Sequence, residues 1–388
     1  MESDLRRTWA EVNLDAIAYN YRKIKEKIGK DVKFLGVVKA DAYGHGSVQV
    51  AKLLAEEGAD YLAVSSADEA LELRVNGIKM PILILGHTPK EQVKELIEYN
   101  ITQAITCKAK ADEYSAEAVK CTGVLKVHIK VDTGMSRLGY LCDNGLFDTG
   151  VDGIVEACNL PGLEAEGIFT HFAEADELDE KADEYTAHQF KLFTDMIDAV
   201  GKRGVHFKIR HCANTGAVAR FPETYLDMVR PGLLLYGYGE FARELGLKPA
   251  MTLKTTVSTI KIYPAGTAIS YGGIYVTDKK TRIGVLPYGY ADGFLRSLSN
   301  KCSLYTKEGP AHLRGKICMD MCMIDITDMM TVDVGSEVEV FGEKNSIDEL
   351  AKIAGTIPYE LTCAVSKRVP RMYIKGGKVI EKELMLRF

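Results

Sequence analysis

Phe34-Leu-Gly-Val-Val38, followed at once by Lys39-Ala-Asp-Ala-Tyr43-Gly-His-Gly46, is the stretch on which the fold turns. A short apolar run that stops at a lysine and a glycine-bearing polar turn has the outline of a buried strand whose far end opens on a polar surface. The outline recurs. Seven more apolar runs follow: Tyr61-Leu-Ala-Val64, Ile82-Leu-Ile-Leu85, Ile101-Thr-Gln-Ala-Ile105, Val127-His-Ile-Lys-Val131, Gly167-Ile-Phe-Thr170, Phe207-Lys-Ile-Arg210 and Leu233-Leu-Leu-Tyr236. Between them lie helix-like patterns. In residues 66–75 Ser66 is placed to cap and Glu69 to reach back to it, and in residues 90–97 the apolar positions fall three and four apart. Eight strand-then-helix units in about 210 residues predict an α/β fold with an N-terminal (β/α)8 TIM-like barrel; a doubly wound sheet shares the local pattern, and only the count favours closure.

Beyond residue 245 the texture changes to period-two alternation, as in Leu253-Lys-Thr-Thr-Val-Ser-Thr-Ile-Lys-Ile262, and to turns such as Pro264-Ala-Gly266. Helical patterns nearly vanish apart from residues 346–353. The chain therefore divides into a barrel over residues 1–245 and a mostly antiparallel β domain over 246–388, with which the residues before 12 can pack.

The composition of the 388 residues, 46% apolar and 27% charged, is that of a globular protein and excludes disordered, collagenous and membrane-spanning classes. A net charge of −5 gives no electrostatic reason to expect nucleic acid or an anionic membrane surface, so small molecules or protein partners remain. The opening residues carry both signs of charge and no apolar stretch, which points to the cytoplasm. Nine cysteines, an odd number without a Cys-x-x-Cys pair, read as reduced thiols; Cys107, Cys121, Cys158 and Cys212 sit among apolar neighbours like small core residues. Cys318 and Cys322 have no nearby histidine or second pair to complete a zinc set, so no metal is expected.

In a barrel of this kind the chemistry lies at the carboxyl ends of the strands. Lys39 ends the first run, where desolvation lowers a lysine's pKa toward that of a usable amine able to form a Schiff base; a snorkelling or ion-paired lysine is the plainer alternative. The fifth run leads through Lys130-Val-Asp-Thr-Gly134 to Arg137, the sixth ends at His171, the seventh at Asn214-Thr215-Gly216, and the eighth unit begins Met228-Val-Arg230-Pro-Gly232. Thr215-Gly216 and Gly232-Leu233 supply the hydroxyl and backbone N–H donors that a phosphate needs, although glycine in such loops is also ordinary turn chemistry. Neither a P-loop nor a Gly-x-Gly-x-x-Gly fingerprint occurs.

A barrel lysine, a phosphate pocket and an arginine on strand eight make up the inventory for pyridoxal 5'-phosphate, and here the sequence resembles the alanine racemase family. The matching segments run in order across nearly the whole chain: Val37 to Gly46, Lys130 to Gly139, Phe169-Thr-His171-Phe-Ala173, Cys212-Ala-Asn214-Thr215, Val229-Arg230-Pro-Gly232, Ser270-Tyr271-Gly272, Tyr288-Gly-Tyr290-Ala-Asp292-Gly293, Cys318-Met319-Asp320 and Ile357-Pro-Tyr359-Glu360. The resemblance implies that Lys39 holds the cofactor and serves as one of two proton-transfer bases. A proton taken from one face of a planar carbanion must be returned to the other, and the second base is then Tyr271, given across a homodimer interface. Its phenol needs help toward ionisation, which a cationic His171 or nearby arginines would give; by itself Ser-Tyr-Gly-Gly reads as a hairpin turn.

The resemblance further implies that Arg230 faces the pyridine nitrogen, where it cannot accept a proton and leaves the ring a weak electron sink; alone it reads equally as an arginine closing a salt bridge. Arg137, helped by the N–H of Met319 from the other subunit, would bind the substrate carboxylate. Tyr43, Tyr359, Thr215, Gly232 and Leu233 would hold the phosphate, Asn214 and His171 would sit beside the ring, Tyr290 and Tyr359 would narrow the entrance, and Asp320 would support them. Position 215 is Thr where the family more commonly has Ser, which keeps the hydroxyl. Lys130 shares a strand face with His128 and Asp132. In the family it is often carbamylated to an anion that orients the arginine; pairing with Asp132 or another acid is the alternative. The implied activity is interconversion of L- and D-alanine, supplying D-alanine for peptidoglycan. A serine or broader racemase, a decarboxylase of basic amino acids and a non-catalytic pyridoxal-phosphate carrier are the competing readings; Arg230 opposes the decarboxylase, and the β domain opposes the carrier.

Overall fold

Eight parallel strands form a nearly closed barrel in a computed structural model, which describes residues 7–143 and 145–384. In chain order they are Lys33–Val37, Tyr61–Val64, Ile82–Ile84, Thr102–Ile105, Leu125–Asp132, Leu163–Phe169, Ile209–His211 and Met228–Val229. Each pairs in parallel with the next through the seventh, and the eighth returns to pair with the first. Between seventh and eighth the ladder is carried by single bonds, Asp227 N–H to Arg210 O at 3.1 Å and Arg230 N–H to Ala213 O at 2.9 Å. The predicted TIM-like architecture is therefore present, the strands being buried on both faces as helix-covered parallel strands must be.

Two local expectations need correction. Leu233-Leu-Leu-Tyr236 is not the eighth strand but part of a short helix, Gly232–Tyr236; the true strand is the pair Met228–Val229 just upstream. An apolar run of four is ambiguous between buried strand and buried helix, and Pro231-Gly232 begins a new element here. Of the cysteines read as core residues only Cys212 is buried, Cys107 is exposed, and Cys121 and Cys158 are intermediate. They border helices, where neighbours in sequence do not report which face turns inward.

The chain separates into two compact units. The barrel unit holds residues 20–42 and 47–235; the other holds the described residues up to Tyr19, the short segment Tyr43–Gly46 and everything described from Tyr236 onward. The second unit is built on a seven-stranded sheet in which Thr8–Asn13 lies between Met251–Thr256, antiparallel, and Arg371–Lys375, parallel. A three-stranded antiparallel sheet joins Thr259–Tyr263, Thr281–Leu286 and Cys322–Asp325, and a two-stranded hairpin pairs Ala268–Ile269 with Tyr275–Val276. No helix among the described residues is long and apolar enough to cross a membrane.

Within the second unit, the segment Tyr43–Gly46 is held by Arg371. This fully buried guanidinium donates to Gly44 O at 3.2 Å, Ser366 O at 2.6 Å, Val365 O at 2.7 Å and Val369 O at 2.7 Å. The packing leaves no room for side chains at two glycines. A Cβ at Gly44 would lie 2.2 Å from Thr362 O, and one at Gly46, whose φ is +92°, would lie 1.8 Å from the Tyr373 hydroxyl. Gly46→Ala is therefore expected to lower stability by about 3 kcal/mol through combined overpacking and left-handed strain. Gly204→Ala, at φ +86° with nothing within 4 Å, isolates the backbone part and should cost about 1 kcal/mol. Chemical denaturation of both variants measures the difference; equal losses would show that the Tyr373 contact is soft.

Candidate active site

Lys39 stands where the first barrel strand ends, half-buried, at the start of a turn with an unusual backbone. Ala40, Asp41, Ala42 and Tyr43 have φ values of +51°, +54°, +52° and +53°, four consecutive L residues in the left-handed helical region. Such a conformation costs about 1–2 kcal/mol per residue, so it persists only when neighbouring bonds over-determine it. Three do so here. Ala42 N–H donates to Val38 O at 2.9 Å, Ser47 N–H donates to Asp41 Oδ1 at 2.7 Å, and Ala40 N–H donates to Glu69 Oε1 at 2.7 Å. Glu69 thus does more than the capping box suggested. Ser66 does cap the helix Ala67–Val75, but the Glu69 carboxylate reaches Ser65 N–H at 2.6 Å and Ala40 N–H, not Ser66 N–H. Sequence spacing pointed to the right acid and to the wrong partner.

Arg230 is buried directly after the eighth strand. Its Nη1 donates to His211 Nδ1 at 2.8 Å, and its Nη2 donates to Thr170 O at 2.8 Å, Cys212 O at 3.1 Å and His171 Nδ1 at 3.2 Å. Its partners are carbonyls and imidazoles, and among the described residues it makes no ion pair, so the salt-bridge alternative does not hold. Burial lowers its pKa to about 10, which still leaves it cationic at neutral pH. A guanidinium only donates. The Nδ1 atoms of His171 and His211 are therefore acceptors, and each neutral ring carries its proton on Nε2.

His171 is held well below its ordinary pKa, first by burial and then by Arg230, Lys130, Arg137 and Lys39. This corrects the expectation of a cationic His171: the ring is neutral and offers an Nε2–H donor. The barrel thus brings Lys39, Lys130, Arg137 and Arg230 around one imidazole.

Lys130 lies inside the barrel, where burial first and Arg230 second lower its pKa to about 7, with Asp132 opposing them and Arg137 adding a smaller push. Its Nζ donates to Val131 O at 2.7 Å and sits 5.5 Å from the centre of the Phe169 ring, which Arg230 approaches at 5.6 Å. The alternative of a Lys130–Asp132 ion pair is not realised: Asp132 Oδ1 accepts from Gly134 and Ser136 N–H groups, both at 3.0 Å, and so shapes the loop that leads to the exposed Arg137.

At the seventh and eighth strand ends, Leu233 N–H donates to Thr215 Oγ1 at 3.0 Å and so joins the two loops, while Gly232 N–H turns back to Arg230 O at 2.9 Å within its own. Gly216 is required there, since a Cβ would lie 2.4 Å from Ala175 O. Asn214 has a structural role, because its Oδ1 accepts from Ala217 N–H at 3.1 Å as the N-cap of helix Thr215–Arg220.

The remaining predicted residues lie in the second unit. Tyr43 is buried edge-on between Tyr236 and Tyr359, at ring separations of 5.2 and 5.3 Å; Tyr359 opens a helix, Pro358–Ala364, that period-two reading missed. Tyr271 occupies the hairpin tip between Ile269 and Tyr275, after Ser270 at φ +66°, and is 68% exposed. The hairpin reading of this stretch was right. Tyr290 and Met319 are also exposed, and their loops are tied together by Tyr290 N–H to Cys318 O and Ala291 N–H to Met319 O, both 3.0 Å. Fully buried Asp292 accepts two bonds from Arg7, at 2.8 and 3.1 Å, and lies 3.4 Å from Arg368, which also binds Asp320 at 2.8 Å. Arg7, Arg368 and Asp292 were not singled out as a network, because residues so far apart in sequence announce no pairing.

Family profiles match nearly all of this chain. Residues 12–240 match the one described as alanine racemase, N-terminal domain, and residues 250–373 the one described as alanine racemase, C-terminal domain. A curated relative named alanine racemase 2, from Caldanaerobacter subterraneus subsp. tengcongensis, is 44% identical over 388 residues, with 98% of each chain covered. Among solved structures, an alanine racemase from Clostridium difficile 630 superposes with a TM-score of 0.92 at 39% identity and 100% coverage of both chains. One from Bacillus anthracis, solved with bound L-Ala-P, gives 0.91 at 36% identity and 98% coverage of each.

Proposed function

The chain belongs to the alanine racemase family and is an isomerase of that class, and from this premise we propose that it interconverts L- and D-alanine with pyridoxal 5'-phosphate, using Lys39 on one face of the substrate and Tyr271 of a second copy of the chain on the other. The observation that carries this reading is Arg230, a buried cation held by imidazoles and carbonyls with no acid paired to it among the described residues. The donors present fit the cofactor. A guanidinium that stays protonated at neutral pH suits a ring nitrogen, and the Thr215 hydroxyl, which accepts from Leu233 N–H and keeps its own proton to donate, over a Gly216 that admits no side chain, suits a phosphate.

Bound pyridoxal phosphate supplies the electron sink that acidifies the substrate's α-proton. Lys39 would hold it through Nζ and move one proton at that atom. Arg230 would face the ring nitrogen as a donor only, keeping the sink weak and favouring return of the proton over transamination. Arg137 would bind the carboxylate. His171, neutral and protonated on Nε2, would donate to a phenolate at Tyr271, favouring its ionised form as a hydrogen bond to a charged acceptor does. Tyr271, Tyr290 and Met319 are exposed together on the second unit, which supports their use by another copy of the chain in a homodimer with shared sites. The family likeness alone assigns Tyr43 and Tyr359 to the phosphate. The same proposal places the enzyme in the cytoplasm, where D-alanine enters peptidoglycan precursors.

Loading with pyridoxal phosphate and following optical rotation with a panel of amino acids tests the assignment. Alanine is expected to turn over fastest; serine outpacing it would favour the broader racemase, and no turnover at all would favour a carrier.

Lys130 we propose to be carbamylated. With a pKa of about 7, roughly half its amine is neutral at pH 7, against a minute fraction of an ordinary lysine. The neutral lone pair attacks CO2, the N–C bond forms and one proton leaves, so occupancy rises with pH through about 7. The product is an anion near Arg137 in place of a repelling cation. Carbon-13-labelled bicarbonate should give a carbamate signal that is lost in Lys130→Ala, whose KM for alanine should rise about tenfold with added formate restoring part of the loss. A full-activity protein with unmodified lysine refutes this.

A further inference from the structure

The sixth barrel strand does not pair residue for residue with the fifth. Val127 faces Ala165 and His128 faces Gly167, so Glu166 is the extra residue of a β-bulge, a device that re-aims a side chain. Its Oε2 accepts from the hydroxyl of Tyr61, the first residue of the second strand, and lies 3.5 Å from His128 Nε2. Gly167 makes room for the imidazole: a Cβ there would come within 2.6 to 2.8 Å of three ring atoms. His128 Nδ1 is 2.9 Å from His211 Nε2, and His211 Nδ1 is 2.8 Å from Arg230 Nη1. A line of side chains thus crosses the barrel from Arg230 at the mouth, through two fully buried imidazoles, to Glu166 and Tyr61 near the opposite end.

Its direction is forced at both ends. Arg230 can only donate, so His211 accepts on Nδ1 and donates from Nε2; His128 accepts on Nδ1, and its remaining proton points at a carboxylate that can only accept. Reversing His211 would set a proton against the guanidinium, and reversing His128 would set one against the Nε2–H of His211. A second charge on the rings is opposed by burial and by Arg230. His128 Nε2 is buried without a well-formed hydrogen bond among the described residues, and the carboxylate 3.5 Å away is the acceptor it faces.

We propose that Glu166 is a positioning residue for Arg230, acting through His128 and His211: by fixing both imidazoles in the Nε2–H form it keeps a lone pair in front of Nη1 and holds the guanidinium aimed at the cofactor's ring nitrogen. Only the last link rests on the proposed racemase function. The carboxylate is suited to this role, since the His128 contact and the Tyr61 hydroxyl outweigh desolvation and keep its pKa at about 2.

The test uses the holoenzyme with nitrogen-15-labelled histidine. Both His128 and His211 are expected as Nε2–H tautomers; a proton on either Nδ1 in the unaltered protein overturns the proposal. Glu166→Leu removes the acceptor at the far end, leaving Arg230 alone to hold the line, and is expected to mix the tautomers, His128 first, and to weaken pyridoxal phosphate binding at least fivefold, while KM for alanine stays within twofold. Glu166→Gln keeps an acceptor oxygen and should hold both tautomers, and Tyr61→Phe, which removes the outermost donor but keeps the carboxylate facing His128, should do the same. A Leu variant with unmixed tautomers or a smaller loss of affinity, or a Gln variant as impaired as the Leu variant, overturns it. Should Glu166→Leu not fold, the unaltered protein and the Gln variant still decide. Tautomers read on cofactor-stripped protein separate the outcomes: failure of the unaltered chain to take up pyridoxal phosphate refutes the racemase function, and wrong tautomers refute the line.

Discussion

Lys39→Ala is expected to abolish absorbance near about 420 nm and to cut racemisation by ~10⁴-fold or more, because the residue both anchors the cofactor and moves a proton. The fold should survive, since the turn after it is held by Glu69, Asp41 and the Val38 carbonyl, all of which the variant keeps. Borohydride reduction of the loaded enzyme, followed by peptide mapping, reads the anchor directly. The informative competitor is Lys130, whose lowered pKa leaves much of its amine neutral and nucleophilic at pH 7. Geometry argues against it: Lys130 is enclosed beneath Phe169 with its amine donating to a backbone carbonyl, whereas Lys39 is half-buried at a strand end. Reduction that tags Lys130 and spares Lys39 would reverse the roles of the two lysines.

Much of this was legible in the chain because its signals are local. Eight apolar runs, most of them closed by a polar residue, reveal a barrel and point to strand ends, so Lys39 and His171 were singled out from position, whereas Arg230 was placed at the start of a strand that in fact ends just before it. What stayed hidden depends on distances across the fold. The bulge at Glu166 is set by pairing with a strand some forty positions upstream, and nothing around Gly167 announces that His128 needs its space. The left-handed turn at residues 40–43 contains three residues with no preference for that conformation, two alanines and a tyrosine, and exists because bonds from Glu69 and Ser47 impose it. The protonation state of His171 was misjudged for the same reason: a histidine among cations reads as one more charge, yet burial and those cations keep it neutral. Leu233 to Tyr236 failed differently, as four apolar residues carry too little periodicity to tell helix from strand.

Tyr271→Phe should leave the cofactor band intact and lower racemisation in both directions by ~10³-fold or more, the equality being required because the variant cannot change the equilibrium between enantiomers. A chain with Lys39 but no phenol still has a base on one face. It is therefore expected to exchange the α-hydrogen of one enantiomer with deuterated water while leaving the other nearly inert, a pattern that general loss of folding or cofactor would not produce. The sharing of sites has its own test in the exposed position of Tyr271. Lys39→Ala and Tyr271→Phe chains are each inactive alone, but a mixed dimer holds one site with both groups and one with neither. Random reassociation makes half the dimers mixed, so about a quarter of the unaltered activity should return on mixing. If each chain instead used its own tyrosine, every site in the mixture would lack one base, and no activity would return at any ratio.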